Sequence, residues 1–213
     1  MTSAEMPMFP LGTVLLPGSL LPLHVFEPRY RRMMDECLAG TQEFGVVLIT
    51  RGREVGGGDE RSSVATVARI LQHHELEDGR RAVMTAGVRR VRIDQWLDDN
   101  PYPRALVTDW PDDDLDVSPL RIDDIHRRVR RTMALAVELG DATSDPDGES
   151  EIADDPFFAS FHLAAMAPLG SYDQAKLLSV AGAGARLDAL EEMLTDVDAG
   201  LRFRLGLPPD SGG

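Results

Sequence analysis

The sequence predicts an α+β chain: a small β-barrel with one packed helix, followed by an α-helical bundle. Three observations carry this. Short apolar runs broken by Pro and Gly fill most of residues 6–110, the pattern of strands and turns. Inside them, residues 28–39 repeat their apolar side chains at helical spacing. From Ser118 onward the period is helical to about residue 206. The 213 residues suffice for one large or two small domains. The acidic stretch Pro111-Asp-Asp-Asp-Leu-Asp-Val117 marks the boundary. Residues 1–115 are assigned to the barrel, 118–206 to the bundle and 207–213 to a flexible tail.

Five prolines (Pro7, Pro10, Pro17, Pro22, Pro28) punctuate the opening apolar runs. Proline gives no N–H to a ladder, so it sits at strand ends, edges and bulges. Two short strands follow, about 6–9 and 20–25, joined through the Pro17-Gly18 turn. Pro28 suits the first position of a helix, and Glu27 stands near the positive end of its dipole. Tyr30, Met33, Met34, Cys37 and Leu38 form one apolar stripe, and Gly40 stops the helix. Each buried member contributes roughly 1.5–3 kcal/mol before entropy. This helix is expected to seal one end of the barrel.

Residues 43–49 read as a buried strand and 51–63 as a flexible loop. Residues 64–74 and 80–93 read as a hairpin closed by Glu77-Asp78-Gly79. In its second strand Ala82, Met84, Ala86 and Val88 alternate, then Val91 and Ile93 take the odd register. A bulge near Gly87 would absorb the extra residue. Residues 102–110 make a last strand. In the bundle, Ser118 caps a helix striped with Ile122, Ile125, Val129, Met133 and Ala136. Arg127, Arg128, Arg130 and Arg131 read as a solvated face of that helix. The acidic residues 141–155 are expected to be mobile. Asp155-Pro156 opens a helix with Phe157, Phe158, Phe161, Leu163, Ala165 and Met166. Ser171 and Gln174 suggest a capping box for a short helix. A last helix carries Leu187, Leu190, Leu194, Val197 and Leu201.

Met8-Phe9-Pro10-Leu11 and Leu21-Pro22-Leu23-His24-Val25-Phe26-Glu27-Pro28-Arg29-Tyr30-Arg31 resemble the start of the LON substrate-binding domain. Val67-Ala68-Arg69-Ile70, Asp78-Gly79-Arg80 and Gly87-x-x-Arg90-x-Arg92-Ile93 are similar to its second signature. Ala65-Thr66 stands where that family usually has Gly-Thr. Ser171, Gln174, Lys176 to Leu178, Arg186, Leu187 and Leu190 are similar to its C-terminal pattern. The resemblance spans about residues 6–206. It implies a PUA-like barrel plus helical bundle and a role in recognising protein substrates.

Composition narrows the chemistry. The net charge is −14, and residues 111–213 hold 21 acidic against 9 basic side chains. Such a chain repels phosphate backbones and anionic membranes, so nucleic acid is disfavoured as a partner and no membrane association is expected. Cys37 is the single cysteine, which rules out an internal disulfide and suits a reducing cytoplasm. No apolar run approaches the length of a membrane-spanning helix.

The resemblance is to a domain of proteases, yet protease chemistry is missing. A P-loop needs a lysine on the phosphates, and a Ser-Lys dyad needs one to activate the serine. Lys176 is the only lysine and has no Gly-rich loop before it. Gly56-Gly57-Gly58 lacks the context of a phosphate loop. His73 and His74 are adjacent on a strand and diverge, so His73-His74-Glu75 reads as a surface hairpin rather than zinc ligands. Asp145-x-Asp147-Gly148 places Thr143 and Asp154 where a calcium loop needs Asp and Glu. No catalytic residue, metal or cofactor is assigned.

The favoured function is a non-catalytic module that binds exposed apolar segments of unfolded or client polypeptides. A separate protease as recipient and self-association stay open. Candidate residues for an apolar groove are Met33, Met34, Trp96, Tyr102, Trp110, Phe157 and Phe158, because Met and aromatic side chains suit adaptable recognition. RNA binding through Arg89, Arg90 and Arg92 is the first alternative, resting on fold analogy. An unrecognised hydrolase is the second.

Overall fold

The computed structural model describes residues 3–52, 60–142 and 152–208. The Gly56–Gly58 loop, most of the acidic 141–155 stretch with its calcium-like pattern, and the end of the tail lie outside the described residues. The chain divides into two compact units, Met1–Pro111 and Asp112–Gly213.

The first unit contains β1 (Ala4–Leu11), β2 (Leu20–Val25), α1 (Pro28–Ala39), β3 (Glu43–Arg51), β4 (Glu60–Glu75), β5 (Arg81–Trp96) and β6 (Arg104–Asp109). The strands form one mixed sheet in the order β2-β5-β4-β3-β1-β6, and a second pairing of β5 with β6 closes a ring. Closure is possible because β5 is long. Its first half, Arg81–Ala86, pairs with β2, and its second half, Val91–Trp96, pairs with β6.

Two apolar clusters fill this unit. Met6, Met8, Val47, Ala65, Val67, Val91, Ala105 and Val107 come from all five strands of the ring and occupy its interior. Phe9, Phe44, Val46, Ala68, Ile70 and Val83 join α1 in the other cluster. Neighbours along β1 (Met8, Phe9), β3 (Val46, Val47) and β4 (Val67, Ala68) point to opposite faces. The helix therefore covers an outer flank of the sheet rather than an open end. Its stripe is the one the spacing predicts: Tyr30, Met33, Met34 and Cys37 are buried, and Leu38 packs against the same cluster.

The bulge at Gly87 is present. Val67 faces Arg89 and Ala68 faces Gly87, which leaves Val88 as the extra residue. A Cβ on Gly87 would stand 2.5 Å from the Leu16 carbonyl oxygen, so only glycine admits that close approach. The buried face of β5 before the bulge differs from expectation. Val83, Thr85 and Gly87 point inward, while Ala82, Met84 and Ala86 are half-buried. Thr85 resolves the apparent conflict by donating its hydroxyl to the Leu21 carbonyl at 2.9 Å. A polar residue satisfied in this way is buried without penalty, and hydropathy alone misassigns the face.

Glu43 ties three strands together. It faces Arg69 across β3 and β4 and accepts bonds from Arg69 at 2.7 Å and Arg89 at 2.7 Å. Burial would raise its carboxyl, but the two guanidiniums outweigh that and hold it below the usual range. Its stabilising contribution is thus present above the unfolded carboxylate value of about 4.3 and disappears as pH falls through the lower folded value. Replacing Glu43 by Gln is expected to cost about 1 kcal/mol at neutral pH, since both arginines are partly solvated. Urea titrations over pH should show the variant and parent converging in acid. A difference that persists at low pH would assign the effect to packing.

The second unit contains α2 (Pro119–Glu138), α3 (Pro156–Met166), α4 (Ser171–Leu178) and α5 (Ala183–Leu205). Ser118 caps α2 by accepting from the Arg121 N–H. Asp155 caps α3 through the Phe157 and Phe158 N–H groups at 2.9 and 3.2 Å. The capping box at Ser171 does not form. Gly170 is the N-cap and Ser171 is the first helical residue. Buried positions on α2 are Ile122, Ile125, Val129, Thr132 and Ala136, so Thr132 takes the place expected for Met133. On α5, Asp198 rather than Val197 is buried. Steps of three and of four residues both stay on a helical stripe, and in each case hydropathy picks the apolar neighbour over the polar residue that faces inward.

The acidic stretch before α2 is anchored rather than loose. Asp112 pairs with Arg186 at 2.7 Å, the Asp113 N–H donates to the Ala181 carbonyl, and the Asp114 carbonyl accepts from the Ala183 N–H. These residues thus belong to the second unit from Asp112 onward.

Candidate functional site

The candidate site lies where the barrel leaves two strand edges unpaired. β1 pairs with β6 only through Ala4–Pro7 and with β3 through Met8–Leu11. Its side opposite β3 is therefore without a strand partner from Phe9 to Leu11 among the described residues. β2 pairs with β5 alone, so its outer edge is also unpaired. The two edges border a groove of about 210 Å³, with Phe9–Leu11 on one bank, Pro22–Glu27 on the other and Tyr30 of α1 between them.

The local sequence explains the opening. Pro10 and Pro22 have no N–H to continue a ladder, so β1 and β2 stay apart as strands. Alternation along β2 sends Leu23 and Val25 into the core and leaves Leu20, Pro22, His24 and Phe26 exposed. Leu20 is 63% and Phe26 57% exposed. The floor is rigid. Tyr30 stacks on Phe9 with ring centroids 4.3 Å apart, and Arg29 lies over Tyr30 while pairing with Glu27 at 3.0 Å. The result is an apolar edge strand beside an open slot. Such an edge is a ready template for pairing with another chain.

The residues singled out from sequence fall elsewhere. Met33, Met34 and Tyr102 are inside the outer-flank cluster and are not exposed. The helical spacing of Met33 and Met34, and the position of Tyr102 just ahead of β6, serve packing, which apolar character alone does not distinguish from binding. Trp96 packs against the ring interior with the Arg61 guanidinium 4.5 Å from its ring. Trp110 carries Arg90 at 4.0 Å and Arg92 at 3.8 Å. Phe157 and Phe158 meet edge to face in the second unit and are half-buried. None of the seven lines the groove. The residues that do were visible in the sequence as the Leu-Pro-Leu-His-Val-Phe run, whose alternation separates buried from exposed positions.

A family model described as the ATP-dependent protease La (LON) substrate-binding domain matches residues 5–196. The chain belongs to the LON substrate-binding domain family. A Lon protease of Flavobacterium johnsoniae is 31% identical over 105 residues, covering 48% of this chain and 13% of that protein. The LON peptidase N-terminal domain and RING finger protein of Schizosaccharomyces pombe is 26% identical over 86% of this chain and 44% of its own length. The chain thus spans less than half of these curated relatives. Among solved structures, a Lon N-terminal domain protein from Xanthomonas campestris aligns with a TM-score of 0.68 and 25% identity, covering 89% of this chain and 98% of that one. The N-terminal domain of a Mycobacterium avium complex Lon protease shares the fold at a TM-score of 0.59.

In this LON domain, the motif from Leu21 to Arg31 builds β2, one bank of the groove and the first turn of α1. The second signature builds the β4–β5 hairpin and its arginines. Those arginines serve the fold. Arg89 binds Glu43 and Asp109, Arg90 is 1% exposed and donates to the Trp110 carbonyl, and Arg92 stacks on the Trp110 ring. Arg89 and Arg90 are thus engaged within the unit, whereas Arg92 keeps an exposed position over Trp110. Cys37 is buried, and burial pushes its thiol up to about 12. It is expected to resist a disulfide exchange reagent in the native state and to react at once in urea. Rapid native labelling would contradict that placement. Among the described residues no cluster of His, Cys, Asp and Glu could hold a metal ion, and no helix is long and apolar enough to cross a membrane.

Proposed function

We propose that this chain is a non-catalytic recognition module that binds exposed apolar segments of unfolded or client polypeptides, in extended form, at the groove between β1 and β2. The carrying observation is the pair of unpaired strand edges flanked by exposed Leu20, Pro22 and Phe26. Strand addition supplies main-chain hydrogen bonds without regard to sequence, and apolar pockets beside the edge supply selectivity. That combination suits clients that share exposure rather than a motif. Trp96 and Trp110 in the first unit keep part of their surface exposed and enter this reading only as secondary apolar contacts; Phe157 and Phe158, half-buried in the second unit, are not part of it. The family match to a substrate-binding domain supports the reading, as does a chain with one lysine and neither P-loop nor Ser-Lys dyad. A separate protease that receives the bound client fits the same reading.

The test is fluorescence anisotropy with labelled, reduced and carboxymethylated lactalbumin, a permanently unfolded polypeptide, titrated with the full chain. Saturable binding that survives a rise in salt is the expected result. The reading fails if the polypeptide does not bind, or if single-stranded RNA binds instead with the steep salt dependence of phosphate contacts.

A further inference from the structure

The helical unit carries a second groove with different chemistry. Arg128 and Arg131 stand three residues apart on α2, and Arg202 and Phe203 lie on α5 near Leu207; together they line a groove of about 450 Å³. The sequence spacing suggested a solvated arginine face on α2. The fold instead brings two of those arginines together with a third from α5. The setting is unusual, because residues 111–213 hold 21 acidic side chains and only 9 basic ones. Three of those nine border one groove. Asp198 is the one carboxylate in its lining, and it accepts from Arg202 Nε at 2.6 Å. Arg128 donates to Glu191 at 3.1 Å and to Thr195 at 2.5 Å. A guanidinium has five N–H donors, so these bonds orient Arg128 without exhausting it. The rim is apolar. Phe203 is 86% and Leu207 42% exposed.

We propose that this groove docks an acidic segment of a partner protein that carries an aromatic or aliphatic side chain between its carboxylates. Charge complementarity selects that occupant. Guanidinium–carboxylate pairs form the strong, directional contacts, and Phe203, Ala199 and Leu207 offer apolar surface to the residue between them. Residues 111–213 carry a net charge of −12, so three arginines at one groove set the place in this unit where an acidic partner can land. The barrel groove, proposed above for apolar segments, has no arginine in its lining.

The experiment titrates the full chain against a fluorescein-labelled Gly-Asp-Glu-Phe-Asp-Leu-Glu-Gly peptide. A matched peptide has Asn and Gln in place of Asp and Glu. The acidic peptide should bind saturably and lose affinity with salt, and the amide peptide should not bind. Substituting Arg128→Glu with Arg131→Glu should weaken binding by about tenfold or more. Phe203→Ala should weaken it several-fold while leaving the salt dependence unchanged. Leu20→Glu with Phe26→Glu in the barrel should leave it unaltered. Circular dichroism and urea midpoints check that each variant folds. If the double arginine variant unfolds, Phe203→Ala and Arg131→Gln carry the test. Equal binding of the two peptides, or no binding of either, overturns the proposal. So does complete competition by oligouridylate, which would indicate a phosphate site. Self-association that the arginine variant abolishes would make the occupant a second copy, and also overturns it.

Discussion

Replacing Arg186 by Ala should lower the stability of the helical unit by about 3–5 kcal/mol, the cost of leaving a buried charge without its partner. Arg186 is fully buried, and so is its partner Asp112. Its Nη atoms donate to both Asp112 oxygens at 3.0 and 2.7 Å and to the Ser160 hydroxyl at 2.6 Å. It also donates to the Leu177 and Val180 carbonyls, and its plane lies 3.6 Å from the Phe161 ring centroid. One side chain thereby joins α3, the end of α4, α5 and the segment ahead of α2. Lysine cannot reproduce the fork or the stacking, so Arg186→Lys should recover only a small part of the loss. Arg186→Met combined with Asp112→Leu removes both charges and should recover much more. Urea unfolding followed by circular dichroism measures each variant, with an unchanged m-value required for comparison. A shift of less than about 1 kcal/mol for Arg186→Ala would show that the pair is hydrated and minor.

The same residue shows what a sequence conveys and what it hides. Arg186 appeared there only as part of a C-terminal pattern, and Asp112 only as one acid in a linker. Their pairing spans 74 positions, and no local rule connects them. Local rules did succeed where the cause is local. The α1 stripe, the Ser118 and Asp155 caps and the Gly87 bulge each follow from a few adjacent residues. Errors gathered where a buried polar residue is satisfied by a partner that hydropathy does not register, as with Thr85, which donates to the Leu21 carbonyl on another strand, or Asp198, which pairs one turn along α5 with Arg202. The functional surface was harder still. Met33, Met34 and Tyr102 have the right chemistry for recognition but are consumed by the core. Leu20 and Phe26 look like ordinary strand residues until the topology shows that β2 is an edge. An unpaired edge is a property of the sheet order, and the sheet order depends on β5 pairing on both sides.

That topology sets the second large effect. Leu20→Glu with Phe26→Glu should reduce affinity for unfolded lactalbumin by about tenfold or more, equivalent to at least about 1.4 kcal/mol. Both side chains are more than half exposed, so the folded state should lose no more than about 0.5 kcal/mol. Two effects act together. The apolar contact beside the groove is lost, and charge on an edge strand opposes the approach of another strand. Apolar replacements separate them: Leu20→Ala with Phe26→Ala removes contact without adding charge and should have an intermediate effect. If strand addition operates, the affinity of the parent chain should also fall when the ligand is a short apolar peptide whose alternate main-chain nitrogens are methylated. That modification leaves the side chains in place and removes N–H donors that an edge requires. Equal affinity for the methylated and unmethylated peptides would leave the apolar rim as the whole of the site. Loss of affinity on methylation, together with loss in the glutamate variant, is the result that only a paired edge beside an apolar rim produces.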